Sequence, residues 1–390
     1  MRITSLKPLP ISFLEEIGFA WHQDADGSSY VADEMISVSE EEARAFSDAA
    51  NTLYEMFVEA GEYVIANNLF FELGIPFNLE SIIKKSWEDA IHWHLYGRFD
   101  FAGGLDGKPI KLLEFNADTP TMVFETAIIQ WAMLKYNQRQ ESKQFNNLYE
   151  ALRENFKRIV TLGEDPARFG EFYEGWKMLF SSIQGSLEEE QTVRFLEHIA
   201  KEAGFETHFC YAHEARLDGG AGLFFDETNY EFWFKLIPWE SIAVDEPDMC
   251  ALMREMVENK NTIFFNPAYT LLFQSKRMLK ILWDLFPNHP LLLESSFEPL
   301  ANTKQIKKPA FGREGESMEI IEANGAISHT NEGAYAHHLP LYQAFVEQNS
   351  HDGSCYQPNV FYAYEACALG FRKGGLILDN YAKFVGHIIE

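Results

Sequence analysis

The chain has 390 residues, of which 46% are hydrophobic and 23% are charged. This balance is typical of a globular protein with about two or three domains and unlike that of a disordered chain. Its 32 basic and 59 acidic residues give a net charge of −27, which argues against nucleic acid as a partner and suits a cationic small molecule. No run approaches the roughly 20 apolar residues of a membrane helix, so we expect a cytoplasmic protein without a membrane partner.

Apolar residues at helical spacing predict that the first two hundred residues are mainly helical. Residues 41–68 and 79–96 each carry one apolar stripe with repeats of four or seven residues. Residues 144–204 continue the helical pattern. We therefore expect a largely helical region in the first half of the chain.

A β-hairpin is predicted inside this helical region. Two strand-like runs, 97–101 and 110–116, flank a glycine-rich turn. Thr119 and Pro120 then predict the N-cap and the first residue of another helix. From residue 205 short strands alternate with helices, and the last thirty residues are typical of strands joined by tight turns. Together these elements predict an α+β fold with mixed sheets.

The predicted hairpin carries four polar residues that share one face. Because side chains alternate along a strand, Arg98 and Asp100 face one side, and Glu114 and Asn116 are in phase with each other. Carboxylate and amide oxygens suit Mg²⁺, and the forked donors of an arginine bind phosphate. A helix start at Thr119 would add free N–H groups for a carboxylate. A surface hairpin with alternating charges is the alternative interpretation.

A second segment concentrates positive charge in this acidic chain. Residues 276–313 contain seven basic and three acidic residues. Gly312 and Gly315 permit close approach of the backbone to a ligand. We expect this loop to fold over a triphosphate, with Lys308 and Arg313 near its oxygens. The loop lacks the GxxxxGK[ST] sequence of a Walker P-loop, and a basic surface turn is the alternative.

A third pair of polar residues, Arg372 and Asp379, lies on two strand-like runs near the end of the chain. An arginine at this position is expected to close an active site, and Asp379 is expected to face an amine. A structural ion pair is the alternative interpretation.

In their order along the chain, these segments resemble the glutathionylspermidine synthetase family, whose catalytic core is of the ATP-grasp type. The most specific part is the Arg-x-Asp … Glu-x-Asn-Ala-Asp-Thr-Pro-Thr pattern that ends at Thr121. Phe234-Lys235, Pro238-Trp239-Glu240 and a Lys-Pro-x-x-Gly-Arg-Glu-Gly segment that begins at Lys308 follow it. The resemblance covers nearly the whole chain and implies an ATP-grasp-like synthetase.

The resemblance implies a role for each candidate residue. Mg²⁺ would be held by Asp100, Glu114 and Asn116. Catalysis at the transferred phosphate would involve Arg98 and Arg372. ATP would be bound by Lys276, Lys308, Gly312, Arg313 and Gly315. The substrates would be bound by Thr119, Thr121, Glu189, Glu190, Glu240 and Asp379.

The implied function is an ATP- and Mg²⁺-dependent ligase that joins a peptide carboxylate such as glutathione to a polyamine such as spermidine through an acyl phosphate. The resemblance further implies a helical and substrate-binding region at 1–204 and a nucleotide-binding region at 205–390. The sequence starts in the synthetase-like part, so no amidase activity is expected. Two alternatives stay open, because the fold does not fix the substrates. One is a ligase for another peptide or amino-acid carboxylate, and the other is a catalytically silent protein that binds a polyamine or a nucleotide.

Overall fold

The computed structural model describes residues 1–24 and 26–390. None of the helices in these residues combines the length and the apolar character that crossing a lipid bilayer requires. A π-helical segment, Glu125–Ile129, directly precedes the fourth helix. The α-helices are α1 Ile11–Glu16, α2 Glu40–Asn67, α3 Glu80–Glu88, α4 Gln130–Tyr136, α5 Leu148–Thr161, α6 Phe169–Phe172, α7 Leu187–Ala203, α8 Trp239–Asp245, α9 Pro247–Asn259, α10 Thr270–Gln274 and α11 Met278–Leu285.

The strands of the described residues form four sheets. They are β1 Arg2–Ser5, β2 Val31–Val38, β3 Gly97–Ala102, β4 Lys111–Asn116, β5 Lys177–Ser182, β6 Glu206–Tyr211, β7 Arg216–Asp218, β8 Gly222–Phe225, β9 Thr228–Tyr230, β10 Phe232–Lys235, β11 Ile263–Phe265, β12 Ser295–Ser296, β13 Gln305–Pro309, β14 Met318–Ile321, β15 Ile327–Asn331, β16 Pro340–Ala344, β17 Asn349–His351, β18 Ser354–Ala363, β19 Glu365–Gly374 and β20 Lys383–Ile389.

The largest sheet brings together the two ends of the chain. Its strand order is β1-β2-β20-β19-β18-β3-β4, and β17 pairs with β18 at one side. Strands β2 and β20 run parallel, whereas β18 pairs in the antiparallel direction with both β19 and β3. The predicted hairpin is β3–β4, and it forms one edge of this sheet. Residues from the last forty positions therefore lie next to the hairpin.

Two smaller sheets flank this central one. The sheet β11-β10-β5-β6 is parallel throughout. The sheet β12-β16-β13-β14-β15 is antiparallel and packs against β4. There, Gln343 donates a hydrogen bond to the Leu112 carbonyl at 3.3 Å. The third small sheet is β7-β8-β9. The second strand of the hairpin, which is the edge strand of the central sheet, is thus in contact with the five-stranded sheet.

Helix α2 covers the apolar face of the hairpin. Its start is fixed by a capping box in which Ser39 accepts from the Glu42 N–H and Glu42 accepts from the Ser39 N–H. The Phe57 ring lies 5.1 Å from that of Phe115, which stacks on Phe99 at 3.8 Å. Because these aromatic rings fill one face of the hairpin, its polar residues must lie on the other.

The predicted α+β class with mixed sheets is confirmed, and the helix expected at 41–68 is α2. The helix expected at 79–96 ends earlier, at Glu88. The residues after it leave the helix because tertiary hydrogen bonds replace the helical ones. The Leu95 N–H donates to Asn266 Oδ1 at 2.9 Å, and the Tyr96 carbonyl accepts from Asn266 Nδ2 at 3.0 Å. Apolar spacing alone does not reveal such partners.

Three strands of the first half, β1, β2 and β5, were not predicted, so the expectation of a mainly helical region is incomplete. Strands β2 and β5 pair with β20 and with β6 and β10, which lie beyond residue 204. Strands that are distant in the sequence therefore supply the hydrogen bonds of β2 and β5. The helical spacing of the segments next to β2 and β5 gave no indication of these two strands. The proposed boundary at 204 stays a prediction.

We expect Ser39→Ala to lower the free energy of unfolding by about 1 kcal/mol, because the capping box of α2 is lost. Urea denaturation measures this change. The matched control is Ser47→Ala in the interior of the same helix, where the better helix former should raise stability by about 0.5 kcal/mol or less. Equal changes in both variants would contradict the capping role.

Candidate active site

The polar face of the β3–β4 hairpin forms as the alternation predicts. The antiparallel register pairs Arg98 with Asn116 and Asp100 with Glu114. The four side chains therefore share one face. A slip of one residue would turn these charged side chains toward the apolar core under α2 and the aromatic rings toward the polar face, so the apolar pattern fixes the register.

Arg98 and Asp100 form a buried ion pair at the centre of this face. Arg98 Nε donates to Asp100 Oδ1 at 2.8 Å, and Nη2 donates to Oδ2 at 3.0 Å. The remaining Arg98 nitrogen donates to the Thr121 carbonyl at 3.0 Å, and Asn359 of β18 donates to Asp100 Oδ1 at 2.7 Å. Burial would lower the pKa of Arg98, but Asp100 raises it. The guanidinium is therefore a fixed positive charge.

Two buried lysines approach the hairpin from the side of the five-stranded sheet. Lys276 Nζ lies 3.1 Å from Glu114 Oε2 and donates to the Gly312 carbonyl at 2.9 Å. Lys308 Nζ donates to the Leu113 carbonyl at 3.0 Å. Burial lowers the pKa of Lys308 to about 8. Burial would raise the pKa of Glu114, but the two lysines lower it to about 2.

The remaining basic residues of segment 276–313 divide between the site and the surface. Arg313 reaches the site. The others bind elsewhere: Arg277 to the Glu72 and Pro340 carbonyls, Lys280 to Asp284, Lys304 to Glu322 and Lys307 to Glu319. The high local charge predicted from sequence therefore contributes to the site mainly through Lys276, Lys308 and Arg313.

Two cavities meet at this cluster. The smaller cavity, about 90 Å³, lies between β4 and the five-stranded sheet and is lined by Lys308 and Gln343. The larger cavity, about 550 Å³, is lined by Arg98 and Asn116. A shared wall contributes to both cavities and consists of Glu114, Gly312, Arg313, Glu314 and Arg372. A group bound in one cavity can therefore reach a group bound in the other.

The glycine loop, residues 312–315, separates the two cavities in a closed position. Arg313 Nη2 donates to Glu240 Oε1 at 2.9 Å. Gly315 has a φ of +65°, and a Cβ there would lie 2.2 Å from the Leu378 carbonyl oxygen, so this position requires glycine. Glu240, which was expected at the polyamine, lies at this ion pair with the loop.

Thr119 and Thr121 line the larger cavity, but they do not begin a helix. Helical structure starts three residues after the predicted first residue, Pro120. Met122 has a φ of +70°, and the Pro120 carbonyl accepts a hydrogen bond from Tyr96 Oη at 3.0 Å. The prediction of an N-cap at Thr119 is wrong because these tertiary contacts hold residues 119–122 in a turn.

The first turn of α7 adds carboxylates to the larger cavity. Glu188 and Glu189 line it. Glu190 instead forms an ion pair with Arg194 at 2.8 Å and accepts from Tyr211 Oη at 2.8 Å. The structure therefore brings Glu189 to the cavity and leaves Glu190 on the outer side of the helix. Glu188 was not among the candidate residues.

The helix cap explains this arrangement. Ser186 Oγ accepts from the Glu189 N–H at 3.3 Å, which fixes how the first turn of α7 is rotated. Residues 186–189 have the Ser-x-x-Glu pattern of a capping box, which is visible in the sequence. This pattern could have shown that Glu188 and Glu189 both lie in the first turn of the helix. Burial, followed by the nearby carboxyl of Glu125, raises the pKa of Glu188 to about 7.

Arg372 of β19 reaches the site and lines both cavities, whereas Asp379 lines neither of them. Arg372 Nη2 donates to the Asp379 carbonyl at 3.0 Å. The Asp379 carboxylate accepts from the Tyr381 N–H at 3.0 Å and so closes a turn. The next residue, Asn380, lines the larger cavity together with Arg372.

Three further polar residues support the site and were not predicted as site residues. Tyr30 lines the larger cavity. Gln274 Oε1 accepts from the N–H groups of Ala117 and Asp118 at 2.9 and 3.2 Å. Asn359 is fully buried. An asparagine in the otherwise apolar end of β18 was a visible signal, since buried polar groups need a hydrogen-bonding partner.

The chemistry of the hairpin face fits a hard divalent cation. Asn116 Nδ2 lies 3.1 Å from Asp100 Oδ2 and 3.4 Å from Glu114 Oε1, so an amide and two carboxylate oxygens meet at one point. Turning the Asn116 amide over would bring its oxygen to that point. It would break the hydrogen bonds of Asn116 to Asp100, Glu114 and Gln274, and a bound cation would take the place of the amide donor between the two carboxylates. Two carboxylates and one amide suit Mg²⁺, which takes its other ligands from water and phosphate.

Within residues 1–24 and 26–390, no group of three or more His, Cys, Asp and Glu side chains is arranged to hold a metal ion.

The comparisons with known proteins agree with this geometry. A family described as glutathionylspermidine synthase preATP-grasp matches residues 1–390. The chain belongs to this family. The family predicted from the sequence is thereby confirmed.

Named relatives place the glutathionylspermidine synthase family among ligases. A Haemophilus influenzae protein, whose name describes it as a candidate acid–amine ligase, is 28% identical over 99% of this chain and 98% of its own length. The bifunctional glutathionylspermidine synthetase/amidase of Escherichia coli is 23% identical over 88% of this chain, and the match spans 56% of that enzyme. The prediction of an ATP-dependent C–N ligase is confirmed at the level of the family.

A solved structure shows the same fold. A glutathione synthetase-like effector from Globodera pallida has a TM-score of 0.58 with this chain at 10% sequence identity, and the match covers 98% of both chains. The synthetase-like fold predicted from the ordered motifs is therefore confirmed.

We expect Asn359→Ala to lower the free energy of unfolding by about 1–3 kcal/mol at pH 7, because buried Asp100 loses a hydrogen-bond donor. The matched control is Gln357→Ala on the same face of β18, since Gln357 is not a hydrogen-bond partner of Asp100. Its effect should be smaller than that of Asn359→Ala, because its loss removes no donor from a buried charge. Chemical denaturation that ranks the two variants in the opposite order would contradict this role of Asn359.

Proposed function

We propose that the protein is an ATP- and Mg²⁺-dependent ligase that joins a peptide carboxylate, such as that of glutathione, to an amine, such as spermidine. The reaction passes through an acyl phosphate. The observation that carries this proposal is the meeting of two cavities at Glu114, Arg313 and Arg372. One cavity is basic and the other has an acidic wall, as the two reactants require.

The smaller cavity would hold the phosphates of ATP. Lys276 and Lys308 are buried beside this cavity. Their two positive charges require more negative charge than the single carboxylate of Glu114 supplies. The cavity volume of about 90 Å³ is too small for a nucleotide in the closed state. The glycine loop must therefore open for entry, which breaks the Arg313–Glu240 contact, and close again to exclude water from the reactive acyl phosphate.

The first chemical step would transfer the terminal phosphoryl group to the acid. The carboxylate would lie in the larger cavity near Thr119 and Thr121. Arg98 and Arg372 would orient it and stabilise the charge that spreads over the phosphoryl oxygens. Mg²⁺, when bound, would be held by Asp100, Glu114 and Asn116 and would neutralise phosphate charge.

The second step would be attack of the amine on the acyl phosphate. Glu188, Glu189 and Asp245 line the larger cavity. Their carboxylates would attract a cationic amine and hold it near the reacting carbon. Glu189 therefore keeps its proposed role, and Glu188 takes the place that the sequence assigned to Glu190.

The decisive experiment measures ADP and phosphate release with Mg²⁺ for glutathione and other peptides, each with spermidine and other amines. Release that requires both an acid and an amine, with formation of the amide seen by mass spectrometry, is expected. Asn116→Ala should reduce turnover by about 10² or more. Tight spermidine binding without any turnover would overturn the proposal and support a silent binding protein.

We expect Lys308→Met to reduce kcat/KM for ATP by an amount equivalent to about 2–4 kcal/mol, because the phosphates lose a buried charged partner. The rise in melting temperature that ATP produces should shrink in parallel. Steady-state kinetics and thermal denaturation measure the two effects.

The control is Lys304→Met, since Lys304 directly precedes β13 but forms an exposed ion pair with Glu322 at 3.0 Å, and such pairs contribute little. If the two variants behave alike, the nucleotide does not lie against Lys308.

A further inference from the structure

A cluster of buried charges lies behind the glycine loop, and the proposed function leaves most of it unexplained. Asp118 and Lys235 are 3% and 0% exposed, and Lys235 Nζ lies 3.9 Å from Asp118 Oδ1. Lys235 Nζ also lies 4.0 Å from the centre of the Trp239 ring. Glu240 is buried as well. Burying charges costs free energy even when they are paired, so the cluster calls for a reason beyond packing.

Asp118 holds the start of helix α8 from another part of the chain. The residue before α8 is Pro238, which makes no side-chain hydrogen bond to the helix. The N–H of Trp239, the first residue of α8, instead donates to Asp118 Oδ2 at 2.9 Å. The carboxylate thereby accepts from an N–H that has no partner within the helix. The position of α8 therefore depends on that of Asp118.

The backbone of Asp118 is itself fixed from two sides. Its N–H donates to Gln274 Oε1 at 3.2 Å, and its carbonyl accepts from Asn266 Nδ2 at 2.8 Å. The Asn266 carbonyl in turn accepts from Trp239 Nε1 at 2.9 Å, which closes a ring of hydrogen bonds around the start of α8. The start of α8 is therefore joined to the turn that contains Thr119.

The residue after Trp239 connects this support to the glycine loop. Glu240 Oε1 accepts from Arg313 Nη2 at 2.9 Å, whereas Oε2 is buried without a hydrogen-bond partner in the described residues. Two hydrogen bonds join the buried pair of Arg98 and Asp100, but one joins Arg313 to Glu240. The Arg313 side chain is also 37% exposed. Such a contact can break and form again as the loop moves.

The charges of the cluster balance only while the loop is closed. Lys235 and Arg313 supply the positive charges, and Asp118 and Glu240 supply an equal number of negative ones. When the loop opens, Arg313 leaves and the Glu240 carboxylate loses its counter-charge. Because a buried charge without a partner is costly, this loss favours closure of the loop.

We propose that Asp118 is a positioning residue for the glycine loop: it fixes the start of α8 so that Glu240 holds the loop in its closed position. Glu240 contacts the loop, and Asp118 acts through Glu240. Because Asp118 belongs to the same turn as Thr119 and Thr121, the loop closes against the turn that the acid would occupy. This link to the acid rests on the proposed function, whereas the effect of Asp118 on the loop does not.

The first test measures the opening of the glycine loop in the free protein. Hydrogen exchange of the backbone N–H groups of residues 312–317 reports how often the loop is open. Glu240→Gln should raise this exchange rate by about 3- to 10-fold, because the charge that holds Arg313 is lost. The control Glu246→Gln changes an exposed carboxylate at the end of α8 and should leave the rate unchanged. An unchanged rate in folded Glu240→Gln would contradict the role of Glu240.

The second test asks whether Asp118 acts through Glu240. Asp118→Ala should raise the loop exchange rate as much as Glu240→Gln does, and the double variant should add little, since both changes act on one contact. Asp118→Asn keeps an oxygen that accepts from the Trp239 N–H, so its rate should stay within about twofold of that of the unchanged protein. Urea denaturation establishes that each variant is folded.

Two results of the second test would contradict the positioning role of Asp118. One is an unchanged loop exchange rate in folded Asp118→Ala, and the other is independent effects that multiply in the double variant. If Asp118→Ala does not fold, Asp118→Asn decides. A rate as high as that of Glu240→Gln would then show that the hydrogen bond to α8 does not position the loop.

The third test uses glutathione, spermidine, ATP and Mg²⁺. A loop that opens more often admits water to the acyl phosphate, so Glu240→Gln and Asp118→Ala should release more ADP than amide, whereas Glu246→Gln should keep a ratio of about one. A ratio of about one in a variant with faster loop exchange would contradict the link between Asp118, the loop and the acid. If no acid and amine are joined but the loop exchange behaves as expected, the positioning role stands and the proposed function is wrong.

Discussion

The buried ion pair between Arg98 and Asp100 is the interaction on which the rest of the site depends. Neither charge is stable in the interior without the other, so the pair requires the exact register of the hairpin. It also requires donors and acceptors from two distant segments, Asn359 and the Thr121 carbonyl. The ion pair therefore ties β18 and the turn before the π-helical segment to the hairpin.

A second constraint is the separation of opposite charges in a strongly acidic chain. Lys276 and Lys308 lie on one side of the glycine loop, and Glu188 and Glu189 lie on the other. ATP and a cationic amine would attract each other if they met in an open site. Two cavities with a shared wall allow each reactant its own electrostatic environment and still bring the reacting groups together at Arg372.

The local features of the site were open to prediction from the sequence. The alternation of polar and apolar residues determined that Arg98, Asp100, Glu114 and Asn116 share one face, because a strand has only two faces and one must be buried. The ordered motifs identified the family and the basic loop at Gly312. These inferences need only neighbours along the chain, and the structure bears out the shared face and the family.

What the tertiary structure alone decided is which side chains converge from distant segments. Helical spacing could not show that tertiary hydrogen bonds hold Thr119 in a turn, or that Asp379 closes a turn of its own. The cap at Ser186 fixes how α7 is rotated about its axis, so that Glu188 lines the larger cavity and Glu190 does not. The buried Glu125 receives its hydrogen bond from Trp21, a residue about one hundred positions away. The physical reason is that burial and partner atoms, which set hydrogen bonding and pKa, come from residues far apart in the sequence.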